Sequence, residues 1–352
     1  MEQLDDMIVD GALGEGGGQV VRSAMCIAAV TGRTVEVRNV RARRSPPGLK
    51  AQHVTAARAA AEICGGELSG AELGSKELRL QPGELRGGDY CFDIGTAGST
   101  MLVLQTVLPA LLFAPQRSKI DLVGGTHNTM APSWEFVERV YLPMLRRMGA
   151  DVSYRLDQRG FFPRGGGRVI VEVEPAPLRP LAIMERGECV KRRAIAICAQ
   201  LPREIGVRET DTIVRSMGWR AREAEVIEDG DTLSPGNVAM IELQFPDVGE
   251  LICEHGRVGL RAEKVAKRAV RQARAYLDAD VPVGEHLADQ LMTPLALMAW
   301  RAKSSVSRFR TLPLTQHAKT LAILLPQLLG VAVSIAESPR DAVVTIGDEA
   351  GS

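Results

Sequence analysis

No uninterrupted apolar run in this chain reaches the length of a membrane-spanning helix, so a helical span is not expected. Neither charge is in excess. Lys plus Arg and Asp plus Glu number 43 each, which excludes a coat that holds nucleic acid by bulk positive charge and leaves only local basic clusters for that work. The cysteines at 26, 64, 91, 189, 198 and 253 contain no C-x-x-C pair. Most lie in apolar stretches, so they read as buried free thiols in a reducing compartment, and a zinc site is not expected. The first residues lack the basic-then-apolar order of a secretory leader, with Asp5 and Asp6 where cations would stand. The expectation is a cytoplasmic protein. There is no H-E-x-x-H and no Ser-His-Asp order, so neither a zincin nor a hydrolytic triad is supported.

What is present begins with Asp10-Gly-Ala-Leu-Gly-Glu-Gly-Gly-Gly-Gln-Val-Val-Arg22. A short apolar run over 7–9 feeds this loop, and a helix-forming run follows it. Glycines at this density let backbone N–H groups approach a ligand, and the following helix points its positive end into the loop. That suits a phosphate, and Glu15 is placed to hold a divalent ion. Neither G-x-G-x-x-G nor G-K-[ST] is spelled out, since position 19 is Gln. Alone, the loop reads equally well as a tight turn.

The order strand, apolar helix, strand, helix, two strands then occurs three times. The first unit covers a strand at 7–9, a helix at 19–31, a strand at 34–40, a helix at 48–64 and strands near 67–72 and 78–81. The second has a strand at 90–94, a helix from the 95–99 loop through 113, a strand at 119–123, a helix over 134–148 and strands at 151–156 and 168–174. The third has a strand at 281–283, a helix to 300, a strand at 304–309, a helix over 317–329 and strands at 331–336 and 342–346. Three βαβαββ units imply pseudo-symmetric packing, with a site where their first loops converge. Between units two and three, residues 184–280 break the order: a strand at 191–201, a helix at 203–217, strands at 221–227, 237–245 and 249–254, and a helix at 260–277. The expected class is α+β, with residues 1–183 and 281–352 forming a large three-repeat domain and 184–280 a smaller inserted one. In the last helix of the insert Lys264, Lys267, Arg268, Arg271 and Arg274 fall on one stripe, either a solvated face or an RNA-backbone surface.

Two further clusters can carry chemistry. Arg41, Arg43 and Arg44 follow a strand in a loop stiffened by Pro46-Pro47, and guanidinium forks there suit phosphate oxygens. Thr315 reads as a helix cap that puts His317 in the first turn, where the helix dipole favours a neutral, nucleophilic ring. A lone histidine at a helix start is more often structural. His53 and His127 lie beside the arginine loop and a Gly-Gly turn, in reach of a ligand there. His255 reads as a turn residue, and His286 shares a loop with Asp289 and Gln290.

Together D-G-A-x-G-E-G-G-G-Q-x-x-R-S (10–23), R-A-x-R-x-x-P-G-L-x-x-Q-H (41–53), G-x-A-G-S-x-x-L-V-L-Q-T-V-L-P-A-L (95–111), G-G-T-x-N-x-x-A-P (124–132) and L-A-D-Q (287–290), with His317 near the end, resemble the RNA 3′-terminal phosphate cyclase family. The resemblance implies three βαβαββ units with an inserted domain, and an ATP-dependent conversion of an RNA 3′-phosphate to a 2′,3′-cyclic phosphate through a histidine–AMP. On matching positions it implies His317 as nucleophile, Glu15 as ligand to Mg²⁺ or Mn²⁺, and Arg22, Arg41 and Arg44 as phosphate clamps. Gln105, Pro132 and His286, Leu287, Ala288, Asp289 and Gln290 would hold ATP, and Arg41, Arg44 and Gln52 the RNA phosphate. Two positions depart from the pattern: His286 stands where many members carry a stacking tyrosine, and Leu321 where Asn is expected. The rivals are a non-catalytic RNA-binding relative, which His317 with Glu15 and the arginines argues against, and an enolpyruvyl transferase, which needs no histidine nucleophile.

Overall fold

The computed structural model describes residues 6–303 and 305–348. In the first repeat, β1 (Met7–Asp10) buries Met7 and Val9 and exposes Ile8 and Asp10, the alternation of a strand with one covered face. The glycine loop leads into α1 (Gly18–Thr31), whose Val21, Ala24, Met25 and Ala28 are buried. Then come β2 (Val35–Arg38), α2 (Ala51–Ile63), β3 (Glu67–Ser69) and β4 (Leu78–Gln81). The sheet runs β1-β2-β4-β3, with β1 and β2 parallel and the other pairs antiparallel. A parallel pair needs a crossover, and α1 is that crossover.

The second repeat has the same wiring: β5 (Asp89–Asp93), α3 (Thr100–Leu111), β6 (Ser118–Gly124), a helical segment, β7 (Asp151–Gln158) and β8 (Gly167–Glu174), ordered β5-β6-β8-β7. The helical segment differs from the single helix expected over 134–148. It is α4 (Trp134–Phe136), a π-helical turn (Val137–Tyr141) and α5 (Leu142–Arg147). Pro143 has no N–H to give the carbonyl four residues back, and just before it the Leu142 N–H reaches Val137 instead. The widened turn carries Tyr141 to the cavity described below.

After β9 (Ala182–Ile183) the chain builds a separate four-stranded sheet from β10 (Lys191–Ala199), α6 (Arg203–Met217), β11 (Ala224–Asp229), β12 (Gly236–Gln244), β13 (Gly249–His255) and α7 (Ala262–Ala279). Its order is β11-β10-β12-β13, with α6 and α7 packed on it and on each other. The strand expected at 221–227 opens with a 3₁₀ turn at Ala221–Glu223 and begins only at Ala224. Helix α7 buries Val265, Ala269, Ala273 and Tyr276 and leaves Lys264, Lys267, Arg268, Arg271 and Arg274 exposed.

The third repeat closes with α8 (Glu285–Arg301), β14 (Ser307–Thr311), α9 (Gln316–Leu329), β15 (Val333–Glu337) and β16 (Ala342–Ile346), in the order β15-β16-β14-β9. Its first strand is split. Ala182 and Ile183 pair in parallel with Arg308 and Phe309, and Val283 bridges Thr311 farther along the same edge. The strand expected over 281–283 is thus a single bridge, and residues 184–280 interrupt the third repeat rather than separate it from the second. The strand expected at 304–309 spans Ser307–Thr311, and Ser304 lies outside the described residues.

Helices from all three repeats meet inside: α1 packs on α2, α3, α8 and α9, and α3 on α2 and α8. Among the described residues no helix is long and apolar enough to cross a membrane. All six cysteines are unpaired; Cys26, Cys64 and Cys198 are buried, whereas Cys91 and Cys189 are exposed. Phe309, 1% exposed and flanked by Ile183 and Val344, joins the split strand to the core. Phe309→Ala is expected to cost about 3–5 kcal/mol in denaturant unfolding; a loss below about 1 kcal/mol would show that this sheet does not anchor the fold.

Candidate functional site

The glycine loop after β1 and the first turn of α9 face each other. Thr315 caps α9 by accepting the Ala318 N–H at 3.0 Å and donates its own hydroxyl to Asp289 Oδ1 at 2.7 Å. This fixes the turn that carries His317. The imidazole Nδ1 lies 2.9 Å from Gln19 Oε1, an acceptor, so Nδ1 carries the proton and Nε2 keeps its lone pair. That Nε2 lies 3.5 Å from Glu15 Oε2, and Arg44 reaches the same oxygen at 2.5 Å. Burial lowers the His317 pKa; Glu15 opposes this, and Arg22 and Arg44 add to it. The ring is therefore held neutral in water near neutral pH. The approach of loop to helix requires Gly14, which sits at φ +58°, where a Cβ would lie 1.9 Å from Thr320 Oγ1. Leu321 is a core residue, and support for His317 comes from Gln19.

The arginines divide. Arg44 joins Glu15. Arg22 is half-buried beside the cavity, is pushed down to about 10 by burial, and has no anionic partner among the described residues. Arg43 donates to the Gly14 carbonyl at 2.7 Å and so holds the glycine loop. Arg41 is not brought to the cavity: its side chain is buried and donates to the carbonyls of Pro46 at 3.0 Å and Gly48 at 2.7 Å. Gln52 likewise braces the scaffold, its Oε1 accepting the Ser99 N–H at 2.9 Å and so tying the first repeat to the second.

A cavity of about 360 Å³ opens from His317, Gln19 and Arg22. Gln105, Pro132, His286, Asp289 and Gln290 line it, whereas Leu287 and Ala288 point into the core. The exposed His286 ring stands edge-on to Phe136, with centroids 6.5 Å apart. Asp289 is pushed up to about 7, first by burial and then by Glu285 and Glu15, against its hydrogen bond from Thr315.

The far wall was not anticipated. Glu250, Cys253 and His255 of β13 and Gln272 and Tyr276 of α7 line it. His255, expected in a turn, ends β13 there, and burial lowers it to about 4. Gln19 stands in the glycine motif, so its position beside the helix start was a usable signal; nothing in the spacing of β13 points to the cavity. The two histidines expected near a ligand are structural. His127 Nδ1 meets Thr126 Oγ1 and its Nε2 meets Glu135, both at 2.7 Å. His53 Nδ1 accepts the Lys50 N–H at 3.1 Å, and burial drives its pKa down to about 3.

Among the described residues no group of three His, Cys, Asp or Glu side chains could cage a metal. Glu15 alone fits an ion that takes its other ligands from substrate phosphates and water, the usual habit of Mg²⁺.

Asp289 yields a pH prediction. Its folded pKa is raised above the unfolded value, so the stability it contributes is complete below about pH 4 and is lost as pH rises through about 7. Denaturant midpoints of the wild type should therefore fall across this window relative to those of Asp289→Asn. Parallel profiles would show that the carboxyl ionises as freely as in the unfolded chain.

A model of the family described as RNA 3′-terminal phosphate cyclase matches residues 13–335. The protein named RNA 3′-terminal phosphate cyclase of Pseudomonas fluorescens is 44% identical over 329 residues, 94% of each chain. Its namesake in Salmonella typhimurium is 43% identical over 341 residues, 97% of this chain and 98% of that one. The one in Koribacter versatilis is 39% identical over 351 residues, 99% of this chain and 97% of that one. A solved structure, the enolpyruvyl transferase NikO of Streptomyces tendae, aligns over 97% of this chain and 48% of that one, with a TM-score of 0.39 at 9% identity. That score is too low to bear on fold or chemistry. With a family match over most of its length and relatives this similar across almost all of it, the chain belongs to the RNA 3′-terminal phosphate cyclase family.

Proposed function

We propose that the protein is an enzyme that uses ATP to convert an RNA 3′-terminal phosphate to a 2′,3′-cyclic phosphate through a covalent histidine–AMP. The observation that carries this reading is His317: Nδ1 bonded to Gln19, Nε2 turned toward Glu15, which Arg44 also meets, at the mouth of a cavity beside Arg22, which has no anionic partner among the described residues. A neutral imidazole with a fixed tautomer is ready to attack without first losing a proton.

Nε2 attacks the α-phosphorus of ATP, the bond to the β-phosphate oxygen breaks, and pyrophosphate leaves. An oxygen of the RNA 3′-phosphate then attacks that phosphorus, and the P–N electron pair returns to Nε2. In the last step the neighbouring 2′-oxygen attacks the RNA phosphorus, its proton passes to solvent, and AMP departs as the ring closes. Arg44 and Arg22 neutralise the charge that develops on the phosphate oxygens. Arg41 and Gln52 act through the loops they hold. A divalent ion, Mg²⁺ or Mn²⁺, would sit at Glu15 and supply further neutralisation of the ATP phosphates. Pro132, His286, Gln105, Asp289 and Gln290 receive the nucleoside, with Leu287 and Ala288 anchoring that segment from the core.

In this reading residues 1–183 and 281–352 form the catalytic body, and 184–280 an inserted α+β domain that supplies one wall. The unpaired cysteines fit a reducing cytoplasm.

Arg44→Ala is expected to slow transfer of AMP by about a hundredfold or more while melting temperature changes little. A melting drop large enough to account for the lost activity would make Arg44 a scaffold residue. The reading as a whole is tested by incubating the protein with Mg²⁺ and ATP labelled on the α- or the γ-phosphate. Only α-label should survive denaturation, it should be acid-labile, and His317→Ala should abolish it. Label retained from the γ-position, or none with any metal, would sink the histidine–AMP route.

A further inference from the structure

Helix α7 reaches the cavity with Gln272 and Tyr276, and Gln272 is held there by donating to Glu254 of β13. One turn earlier on the same side of the helix stands Arg268. From it Lys264, Lys267 and Arg271 follow at spacings of three and four, all of them exposed. The stripe therefore begins at the edge of the cavity wall. Arg257 and Arg261, also exposed, precede it on the connection from His255 into α7.

These cations differ from the rest of the surface in what they meet. Elsewhere exposed arginines are paired with acids: Arg38 with Glu36, Arg117 with Glu172, Arg155 with Asp157 and Arg168 with Asp121. Among the described residues no acid pairs with Arg257, Arg261, Lys264, Lys267, Arg268 or Arg271. The one acid among them, Glu263, is taken by Arg208 of α6. Between Gly256 and Leu277 seven Lys or Arg stand with that single acid, in a chain whose totals balance. Like charges three and four apart on a helix repel, and a polyanion laid along them would relieve the repulsion. The apolar face of α7 is spent on the insert's own core, with Val265, Ala269 and Ala273 buried, so the helix has nothing to sink into a bilayer.

We infer that the exposed stripe of α7 carries the backbone of the RNA whose 3′ end lies in the cavity, holding phosphates of the nucleotides upstream of that end. From Lys264 to Arg271 the helix rises about 10 Å, the length of about three nucleotides at the rise of a stacked strand. Contacts to phosphate carry no sequence information, so the stripe takes RNA of any sequence and adds affinity that a dinucleotide, too short to leave the cavity, does not gain. The inference rests on the function proposed above for that cavity.

The test is equilibrium binding of a 3′-phosphorylated RNA decamer, without ATP, over a series of salt concentrations. Lys264, Lys267, Arg268 and Arg271 are changed together to Gln, a residue that suits a helix equally well. Each phosphate contact on a single strand steepens the salt dependence by about 0.7, so this variant should lose about 3 from the slope of log affinity against log salt, and about tenfold or more in affinity at about 0.1 M salt. Formation of the histidine–AMP from labelled ATP should be unchanged, which shows that the fold is kept. A control removes as many exposed cations elsewhere in the insert, with Lys191, Arg203, Arg215 and Arg222 changed to Gln; its slope should stay within about 1 of the wild type. Equal slopes in wild type and the α7 variant, or an equal loss in the control, overturn the inference. If, with equal slopes, only the α7 variant fails to sediment with phosphatidylserine vesicles, the stripe belongs to a membrane surface instead. Wild type that forms no histidine–AMP overturns the chemistry proposed for the cavity, and the salt slopes then still decide whether α7 holds RNA.

Discussion

Ile183 and Val283 lie along one edge of β14, although residues 184–282 separate them in the chain. A strand cannot slip by one residue without turning its buried side chains to solvent, so this edge fixes where the long excursion leaves and where it returns. Its return point is immediately followed by Gly284 and α8, the third repeat's counterpart of the glycine loop before α1 and of the 95–99 loop before α3. The excursion therefore ends beside the cavity, and β13 and α7 form the cavity's far wall. The split strand makes two bodies of structure share one site.

Charge is distributed around that site by the same logic of what is already bonded. Arg41, Arg43, Arg44 and Arg22 are alike in composition and differ in their partners: backbone carbonyls, the Gly14 carbonyl, Glu15, and none among the described residues. A half-buried guanidinium without an anion is held at the cost of its lost hydration, a cost that an anion placed there would relieve. Burial is the first cause of the lowered His317 pKa, and the same cations, Arg22 and Arg44, add to it by opposing a second proton there.

The repeats were legible because strands with one covered face alternate and the helices between them carry an apolar face. The third repeat was misplaced for an equally physical reason. A first strand of two residues, Ala182–Ile183, has no period to detect, and its continuation lies beyond an inserted sheet. Motif spacing brought out Glu15, Arg44 and His317, which the fold draws together, but it treated Arg41 as equivalent to Arg44. The two differ in backbone, with Arg41 at φ +52°, and that turn sends its side chain inward. The far wall left no trace in the sequence, because the polar side chains of β13 announce nothing until the opposing side of the cavity is known.

The insert and the second repeat share one hydrophobic core and are joined by charges as well. Glu135, 1% exposed, bonds His127 and Arg159, and Arg159 continues to Asp229 on β11. In parallel, Arg139 reaches Glu242 on β12, which also holds Arg193. The Thr126 hydroxyl accepts the Gly160 N–H and meets His127 Nδ1, while His127 Nε2 meets Glu135, so both ring nitrogens are satisfied. Such buried networks add little net stability over an apolar interface, but removing one partner strands a charge at a cost of about 3–5 kcal/mol. They are also directional, whereas apolar faces slide. A wall that meets the rest of the cavity at one defined position is fixed by that direction, and the charged seam supplies it.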